Sequence, residues 1–249
     1  MSTKELDQKK VLVVLATFNE IENIPSLINE LFSSTPDADV LVVDDNSPDG
    51  TGAWAQRLSE NNPRVKSIVR KNERGLGSAV IRALSFAIEN NYYCVVNLDA
   101  DFSHSPRDVP RLLERLDLKN QEVDVVIGSR YVRGGQTPDW TLKRRIMSRS
   151  INTFARIALG LKTHDNSGSF RCYRVDALKK INLNNFLSNG YSFFEEMLYR
   201  LKISGFTFAE IPITFIDRKK GASKINKKEA IKAVWIMLKI GTSRFLKRR

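Results

Sequence analysis

Cysteine and histidine are scarce in this 249-residue chain, two of each. Cys94 and Cys172 fit neither a disulfide framework nor a zinc-binding spacing, and both fall in runs that read as buried strands, so a reducing compartment is the simpler setting. Long hydrophobic runs are missing as well. The longest, Val11–Ala16 and Ala233–Leu238, span about six residues, whereas a membrane-spanning helix needs roughly 20. Met1 to Lys10 is polar and charged, so no secretory signal is expected. No Walker A lysine motif is present, which excludes a P-loop ATPase. The turn Ala16-Thr17-Phe18-Asn19-Glu20 is not the Gly-rich loop of a pyrophosphorylase. No internal repeat is visible.

What is present is the composition of a soluble globular protein, 42% hydrophobic and 27% charged, in a chain long enough to bury a sizeable core. The net charge of +12 is unevenly placed. Residues 218–249 hold twelve Lys/Arg against one acid, Glu229, a net of +11, which leaves the first 217 residues at +1. A neutral body with a basic tail points to an anionic partner surface, either a membrane or a nucleic acid.

Apolar strand patterns and helical patterns alternate five times along the body. Strands are expected at Val11–Ala16, Val40–Val43, Val65–Val69, Tyr93–Leu98 and Asp124–Ile127, with amphipathic helices between them. This alternation predicts an α/β fold with a mainly parallel sheet covered by helices on both faces. Gly134-Gly135-Gln136-Thr137-Pro138 is the most loop-like stretch and separates the two halves. Beyond it, the pattern predicts a long helix over 142–161, strands within 169–173 and 206–216, and a helix near 193–203.

The chemistry gathers where strands end, the edge at which open α/β sheets bind ligands. Asp99 and Asp101 follow the fourth strand, with Ala100 between them expected to point away, so both carboxylates can face one cleft. Two hard oxygen donors with room for water and diphosphate oxygens suit Mg²⁺ or Mn²⁺. The alternative is an acidic loop capping the helix that Pro106 begins. Asp44 and Asp45 end the second strand, where a carboxylate can accept hydrogen bonds from a base or a ribose. Gly75-Leu76-Gly77 resembles a phosphate-binding turn but lacks the third glycine, and a tight strand-to-helix turn explains it as well. His104 and His164 are read as ordinary loop or capping histidines. Arg130, Arg144, Arg145, Arg171 and Arg218 flank loops of the second half, where guanidinium groups suit phosphate clamps.

Several stretches together resemble a known family. They are Ala16–Glu20, the run from Val42 to Gly52 (Val-Val-Asp-Asp-Asn-Ser-Pro-Asp-Gly-Thr-Gly), Leu98–His104, Gly128-Ser129-Arg130-Tyr131 with Trp140–Arg149, Asp165–Arg171, and Phe215–Arg218 with Gly221–Lys224. In this order they resemble the inverting family-2 glycosyltransferases of GT-A fold, and within them the polyprenol-phosphate (dolichol-phosphate) mannose synthases. The resemblance implies a GT-A-type, Rossmann-like catalytic domain over 1–225 and a basic amphipathic tail helix over 226–249. It implies GDP-mannose as donor, a polyprenyl or dolichyl phosphate as acceptor, and Mg²⁺ or Mn²⁺ as cofactor. Ala16, Phe18, Glu20 and Asp45 would line the guanosine pocket with Asp44 beside them. Asp99 would hold the nucleotide sugar and, with Asp101, the metal. Arg130 would meet the donor diphosphate, and Arg144, Arg218 and Lys224 the acceptor phosphate, so that Asp101, Arg130, Arg144 and Arg218 carry the chemistry. Three residues depart from the family pattern. Ala16 stands where Pro is usual and Phe18 where Tyr is usual. Ser103 stands where some members have a metal-binding Gln, which leaves a third protein ligand open.

A phosphate acceptor changes what such an enzyme must supply. A phosphomonoester, with a second pKa of about 6, is already largely anionic at pH 7, so no indispensable general base is expected. The tasks are bringing two anions together and stabilising the leaving diphosphate, which arginines and a divalent metal perform. In the tail, Ile231, Val234, Trp235, Leu238 and Phe245 are expected on one helical face and Lys228, Lys232 and Lys239 on another. Such a helix suits a membrane interface, while docking of the apolar stripe on the enzyme's own core is the rival. Peripheral attachment at the cytoplasmic face of a membrane follows as the expectation, the cytoplasmic membrane in a bacterium or the endoplasmic reticulum in a eukaryote. Small membrane-anchoring subunits are compatible partners. A family member moving glucose or another sugar is the second enzyme reading. A nucleic-acid-binding module is disfavoured because the tail lacks stacking aromatics and any reader motif.

Overall fold

The computed structural model describes residues 9–117, 122–188, 190, 192–217 and 234–240. Its strands are β1 (Val11–Thr17), β2 (Asp39–Asp44), β3 (Val65–Val69), β4 (Cys94–Asp99), β5 (Val125–Ser129), β6 (Arg171–Arg174) and β7 (Phe208–Pro212). They form one sheet in the order β3-β2-β1-β4-β6-β5-β7. The helices are α1 (Ile24–Ser34), α2 (Thr51–Asn61), α3 (Leu76–Glu89), α4 (Val109–Leu116), α5 (Leu142–Leu159), a single turn α6 (Val175–Leu178), α7 (Phe193–Ile203) and α8 at 234–240.

The continuous apolar runs of β1 and β2 exist because both faces of the sheet are covered. Leu12, Val14, Leu41 and Val43 face a layer built from α3, α5, α7 and α8, where Val80, Leu84, Leu159, Phe193 and Met237 are buried. Val13, Leu15, Val40 and Val42 face the opposite layer, with Ile24, Leu27 and Leu31 of α1, Ala55 of α2, and Leu112 and Leu116 of α4. Each fully buried Val, Leu or Ile contributes roughly 1.5–3 kcal/mol relative to exposure, so this two-sided burial dominates the stability of the scaffold.

Four strands, β1 to β4, run parallel, as the alternation predicts. β6 is reversed, pairing antiparallel with β4 through Val96↔Cys172 and with β5 through Val126↔Cys172. Its first residues therefore lie at the edge where β4 and β5 end. Asn97 Nδ2 donates to the Ser169 carbonyl at 2.9 Å, fixing that junction. α5 (Leu142–Leu159) starts at Thr141, whose side chain accepts from the Arg144 N–H, and stops at Gly160, which takes the left-handed conformation at φ 63°.

The tail helix has a second apolar side that the sequence reading did not single out, and that side is the docked one. In α8, Ile236, Met237 and Ile240 enter the core, while Val234, Trp235 and Leu238 face outward. Both sides of this short helix are apolar, so helical spacing alone does not select the docked one. Ile231, Phe245, Lys228 and Lys232 lie outside the described residues. Among the described residues, no helix is long and apolar enough to cross a membrane.

Candidate functional site

The run after β2 explains itself as a corner. Asp44 is fully buried and accepts from Thr17 Oγ1 at 2.8 Å, from the Ser47 N–H at 2.9 Å and from Ser47 Oγ at 2.5 Å. Asp49 accepts from the Thr51 N–H at 3.0 Å and from the Ile21 N–H at 3.1 Å, tying the β1–α1 loop to the start of α2. Gly52 is required by closeness: a Cβ there would lie 2.5 Å from Asp44 Oδ1. Asp44 thus sits beneath the cleft as its pin, and Asp45 is the acid of this pair that lines the cavity.

Above this corner opens a cavity of about 260 Å³. Ala16, Phe18 and Glu20 from the end of β1 line it, as does Asp45 from β2. Arg74, Gly75 and Leu76 contribute from the start of α3, and Asp99 and Asp101 from the end of β4. Arg74 holds its guanidinium 4.5 Å from the centre of the Phe18 ring, a cation–aromatic stack on the cavity wall. The first turn of α3 reaches the cavity, and a helix N-terminus favours anionic groups there. Asp45 accepts from Arg70 Nε at 2.8 Å and from the Gly75 N–H at 2.9 Å. Its carboxylate therefore shapes the Gly75 turn while lining the cavity. Arg74 on the wall and Arg70 behind Asp45 are not singled out by the sequence pattern; their one signal is that both shortly precede the Gly-rich turn.

Asp99 is one-third exposed and accepts from Ser169 Oγ at 2.7 Å. Asp101 is mostly buried, and its Oδ1 accepts from the Ser103 N–H at 3.0 Å. Between them and Ser103, Phe102 adopts φ 61°, a left-handed conformation that is strained for a bulky residue and typical of functional turns. Ser103 Oγ is buried without a hydrogen-bond partner. His104 lies in this loop and is buried, with its ring stacked on Phe170 at 5.1 Å and set edge-on to Phe215 at 5.2 Å. Its Nδ1 lies 3.6 Å from Asp99 Oδ2, and burial pushes its pKa below the ordinary value.

This donor set fits a hard divalent cation. Two carboxylates stand at the cavity wall, and beside them the Ser103 hydroxyl is buried with no hydrogen-bond partner among the described residues, a set of oxygen donors suited to such an ion. No group of three His, Cys, Asp or Glu suited to a metal exists among the described residues. Water and ligand oxygens would complete the coordination.

A second cavity of about 330 Å³ is lined by Arg130, Tyr131, Gln136 and Thr137, with Arg145 and Arg149 of α5. Arg130 lines this space and not the first, although it lies within electrostatic reach of Asp99. It is pinned to Asp165 by two parallel bonds, Nε to Oδ2 at 2.8 Å and Nη2 to Oδ1 at 2.7 Å. Burial opposes both charges, but each stabilises the other. The Arg130 pKa is raised and the Asp165 carboxyl is held below the usual range. Trp140 and Phe215 flank the Arg130 guanidinium, each 5.4 Å from it.

Arg144 sits apart from both cavity walls, paired with Asp217 at 2.5 Å and stacked over Trp140 at 4.3 Å. Arg145 donates to the Thr137 carbonyl at 2.9 Å. Arg171 is no surface clamp: it is fully buried and donates to the carbonyls of Phe194 and Asn166. Nearby, burial pushes the Glu195 carboxyl up to about 7. His164 pairs with Glu210 at 2.9 Å, and Glu210 also accepts from the Asp165 N–H, which holds the loop behind Arg130. Arg218 and Lys224 lie outside the described residues.

Comparisons with known proteins converge on one family. Residues 12–182 match Glycosyl transferase family 2. An undecaprenyl-phosphate mannosyltransferase of Micrococcus luteus is 41% identical over 217 residues, covering 87% of this chain and 88% of that protein. A polyprenol monophosphomannose synthase of Mycolicibacterium smegmatis is 39% identical over 219 residues, covering 88% and 82%. Among solved structures, glucosyl-3-phosphoglycerate synthase of Mycobacterium tuberculosis, in complex with Mn²⁺, UDP-glucose and phosphoglyceric acid, superposes with a TM-score of 0.67. It is 17% identical, with 95% of this chain and 81% of that chain covered, a likeness of fold. The same enzyme with Mg²⁺ and UDP gives a TM-score of 0.66.

Proposed function

The chain belongs to glycosyl transferase family 2, and from that premise we propose that it transfers mannose from GDP-mannose to a polyprenyl phosphate with inversion, giving a polyprenyl β-D-mannosyl phosphate. One observation supports this: a cavity lined by Asp45, Asp99 and Asp101 at the strand ends and an arginine-walled cavity open on the same sheet edge. Donor and anionic acceptor need such a pair. The names of the M. luteus and M. smegmatis relatives support the lipid acceptor and the mannosyl group.

In this reading Phe18 and Arg74 hold the base, Ala16 and Glu20 line its pocket, and Asp45 keeps the Gly75 turn in place. Asp99 and Asp101 hold the divalent ion, Mg²⁺ or Mn²⁺, which supplies Lewis-acid stabilisation to the leaving diphosphate. Ser103 is the one candidate for a further protein donor. Arg130, oriented by Asp165, faces the phosphates from the second cavity with Arg145 and Arg149. Arg144, with Arg218 and Lys224 beyond the described residues, is assigned to the acceptor phosphate. No side chain need remove a proton, because the attacking phosphate oxygen is already anionic at pH 7.

Residues 1–225 form the catalytic domain and 226–249 the tail, which attaches the enzyme peripherally to the cytoplasmic face of a membrane. The outward Val234, Trp235 and Leu238 of α8 support that attachment. Competition binding tests the donor. GDP-mannose binding that UDP-glucose fails to displace supports the assignment. Preferential binding of UDP-glucose overturns it and leaves a glucosyl transfer in its place.

A further inference from the structure

We infer that Asn152 is a positioning residue that couples the two cavities. It holds the loop at 163–169 so that Asp165 and Ser167 aim Arg130 in one cavity while Ser169 orients Asp99 in the other. For what occupies the cavities this rests on the function proposed above; the coupling itself stands on hydrogen bonds.

Asn152 lies within α5 and is buried. Asparagine is a poor helix former, and its amide is costly to bury unless both ends find partners. Here both do. Oδ1 accepts from the Asn166 N–H at 2.7 Å and from the Ser167 N–H at 3.2 Å. Nδ2 donates to Ser167 Oγ at 3.1 Å and to the Ser148 carbonyl, one helical turn back, at 2.9 Å. Alanine or leucine would suit the helix better, so what the amide contributes is its grip on the loop.

That loop carries groups for both sites. Ser167 Oγ accepts from Arg130 Nη2 at 3.1 Å as well as from Asn152, so this hydroxyl bridges the amide to the guanidinium. Asp165, which makes the paired bonds to Arg130, is itself tied into the loop by the Gly168 N–H at 3.0 Å. The next residue, Ser169, donates to Asp99. On the helix side, Arg145 and Arg149 precede Asn152 and line the same cavity as Arg130. Asn152 therefore sets the register between the arginines of α5 and Arg130, and with it the approach of Ser169 to Asp99. Without its Oδ1, two loop N–H groups lose their acceptor, and the loop must shift to satisfy them. Asp45, at the other end of the first cavity, is held instead by Arg70 and Gly75.

The test uses the full chain and the variants Asn152→Ala, Asn152→Asp and Ser167→Ala. Mn²⁺ affinity is read by electron paramagnetic resonance with GDP present. Calorimetry reads the affinity for GDP without metal and for a short, water-soluble polyprenyl phosphate. Asn152→Ala should bind Mn²⁺ and the polyprenyl phosphate each roughly three- to tenfold more weakly, with metal-free GDP affinity unchanged. Asn152→Asp keeps the acceptor for the two loop N–H groups and should recover part of both losses. Ser167→Ala cuts only the bridge to Arg130 and should weaken the polyprenyl phosphate while leaving Mn²⁺ alone. A merely structural role would lower the melting temperature and leave the affinities of the folded protein as they are. Wild-type affinity at either cavity in folded Asn152→Ala overturns the coupling, as does an equal loss of metal-free GDP binding. Where that variant does not fold, wild-type phosphate affinity in Ser167→Ala overturns it. Coupled losses in an enzyme that transfers no mannose refute the proposed function and leave the coupling standing.

Discussion

Ser169 Oγ donates to Asp99 Oδ1 at 2.7 Å. The bond joins the segment entering the reversed strand β6 to the last residue of the parallel strand β4, so the second half of the chain orients an acid supplied by the first. Removing the hydroxyl frees one oxygen of a partly exposed carboxylate without opening the core. Ser169→Ala should therefore unfold near the wild-type temperature while needing roughly three- to tenfold more Mn²⁺ for half-maximal turnover. Metal titration of the rate, set beside a thermal melt, checks both halves.

Arg130 depends on Asp165 in the same way, but in a buried setting. Asp165→Asn leaves a buried guanidinium without its counter-charge and should cost roughly 3–5 kcal/mol of stability. The double replacement Asp165→Asn/Arg130→Met, whose amide oxygen still accepts from a backbone N–H that Asp165 holds, should recover part of that stability and none of the turnover. Denaturant unfolding and initial rates on the three proteins separate the scaffold role from the chemical one.

Glu195 supplies a pH dependence with a defined sign. Its carboxyl is raised from 4.5 to about 7 by burial, against the partial relief of the neighbouring Arg171 and Arg130. A raised folded pKa means that its stabilising contribution is complete below pH 4.5 and is lost as pH climbs through 7. Glu195→Gln keeps the neutral form at every pH. From pH 5 to pH 8, wild type should lose stability relative to this variant by an amount on the order of 3 kcal/mol. Paired urea unfolding at the two pH values measures the difference.

The corner beneath the nucleotide cavity should be intolerant of one methyl group. Gly52→Ala drives a Cβ to within 2.5 Å of Asp44 Oδ1, an atom held in place by its hydrogen bonds. A loss of roughly 1–3 kcal/mol and weaker nucleotide binding are expected, from overpacking that shifts the β2–α2 loop. Calorimetric titration with GDP and a thermal melt report the two effects.

Much of this architecture is legible in the sequence. Leu12 to Leu15 is apolar at every position because both faces of its strand are covered, and Asp99 and Asp101 declare themselves by ending such a run. The direction of β6 was hidden, since side-chain pattern records burial and not which way a neighbouring backbone runs. The docked side of α8 was hidden because Trp235 and Met237 are both apolar and only the shape of the core chooses between them. Partnerships across distance were hidden too. Asp45 is visible as an acid at a strand end, but its bonds to Arg70 and Gly75 exist only once the β3–α3 loop folds back. Arg130 shows its charge in the sequence but not its bond to Asp165, which decides the cavity it faces.

The central claim is the proposed one, that the enzyme transfers mannose from GDP-mannose to a polyprenyl phosphate and that Asp99 and Asp101 would hold the divalent ion that stabilises the leaving diphosphate. The most direct measurement incubates the enzyme with radiolabelled GDP-mannose and a short polyprenyl phosphate, with and without Mg²⁺ or Mn²⁺, and resolves the lipid by chromatography. A labelled lipid phosphate that forms only with metal, and not with Asp99→Asn or Asp101→Asn, is the predicted result. Equal product without metal, or full metal-dependent turnover by those two variants, would contradict it.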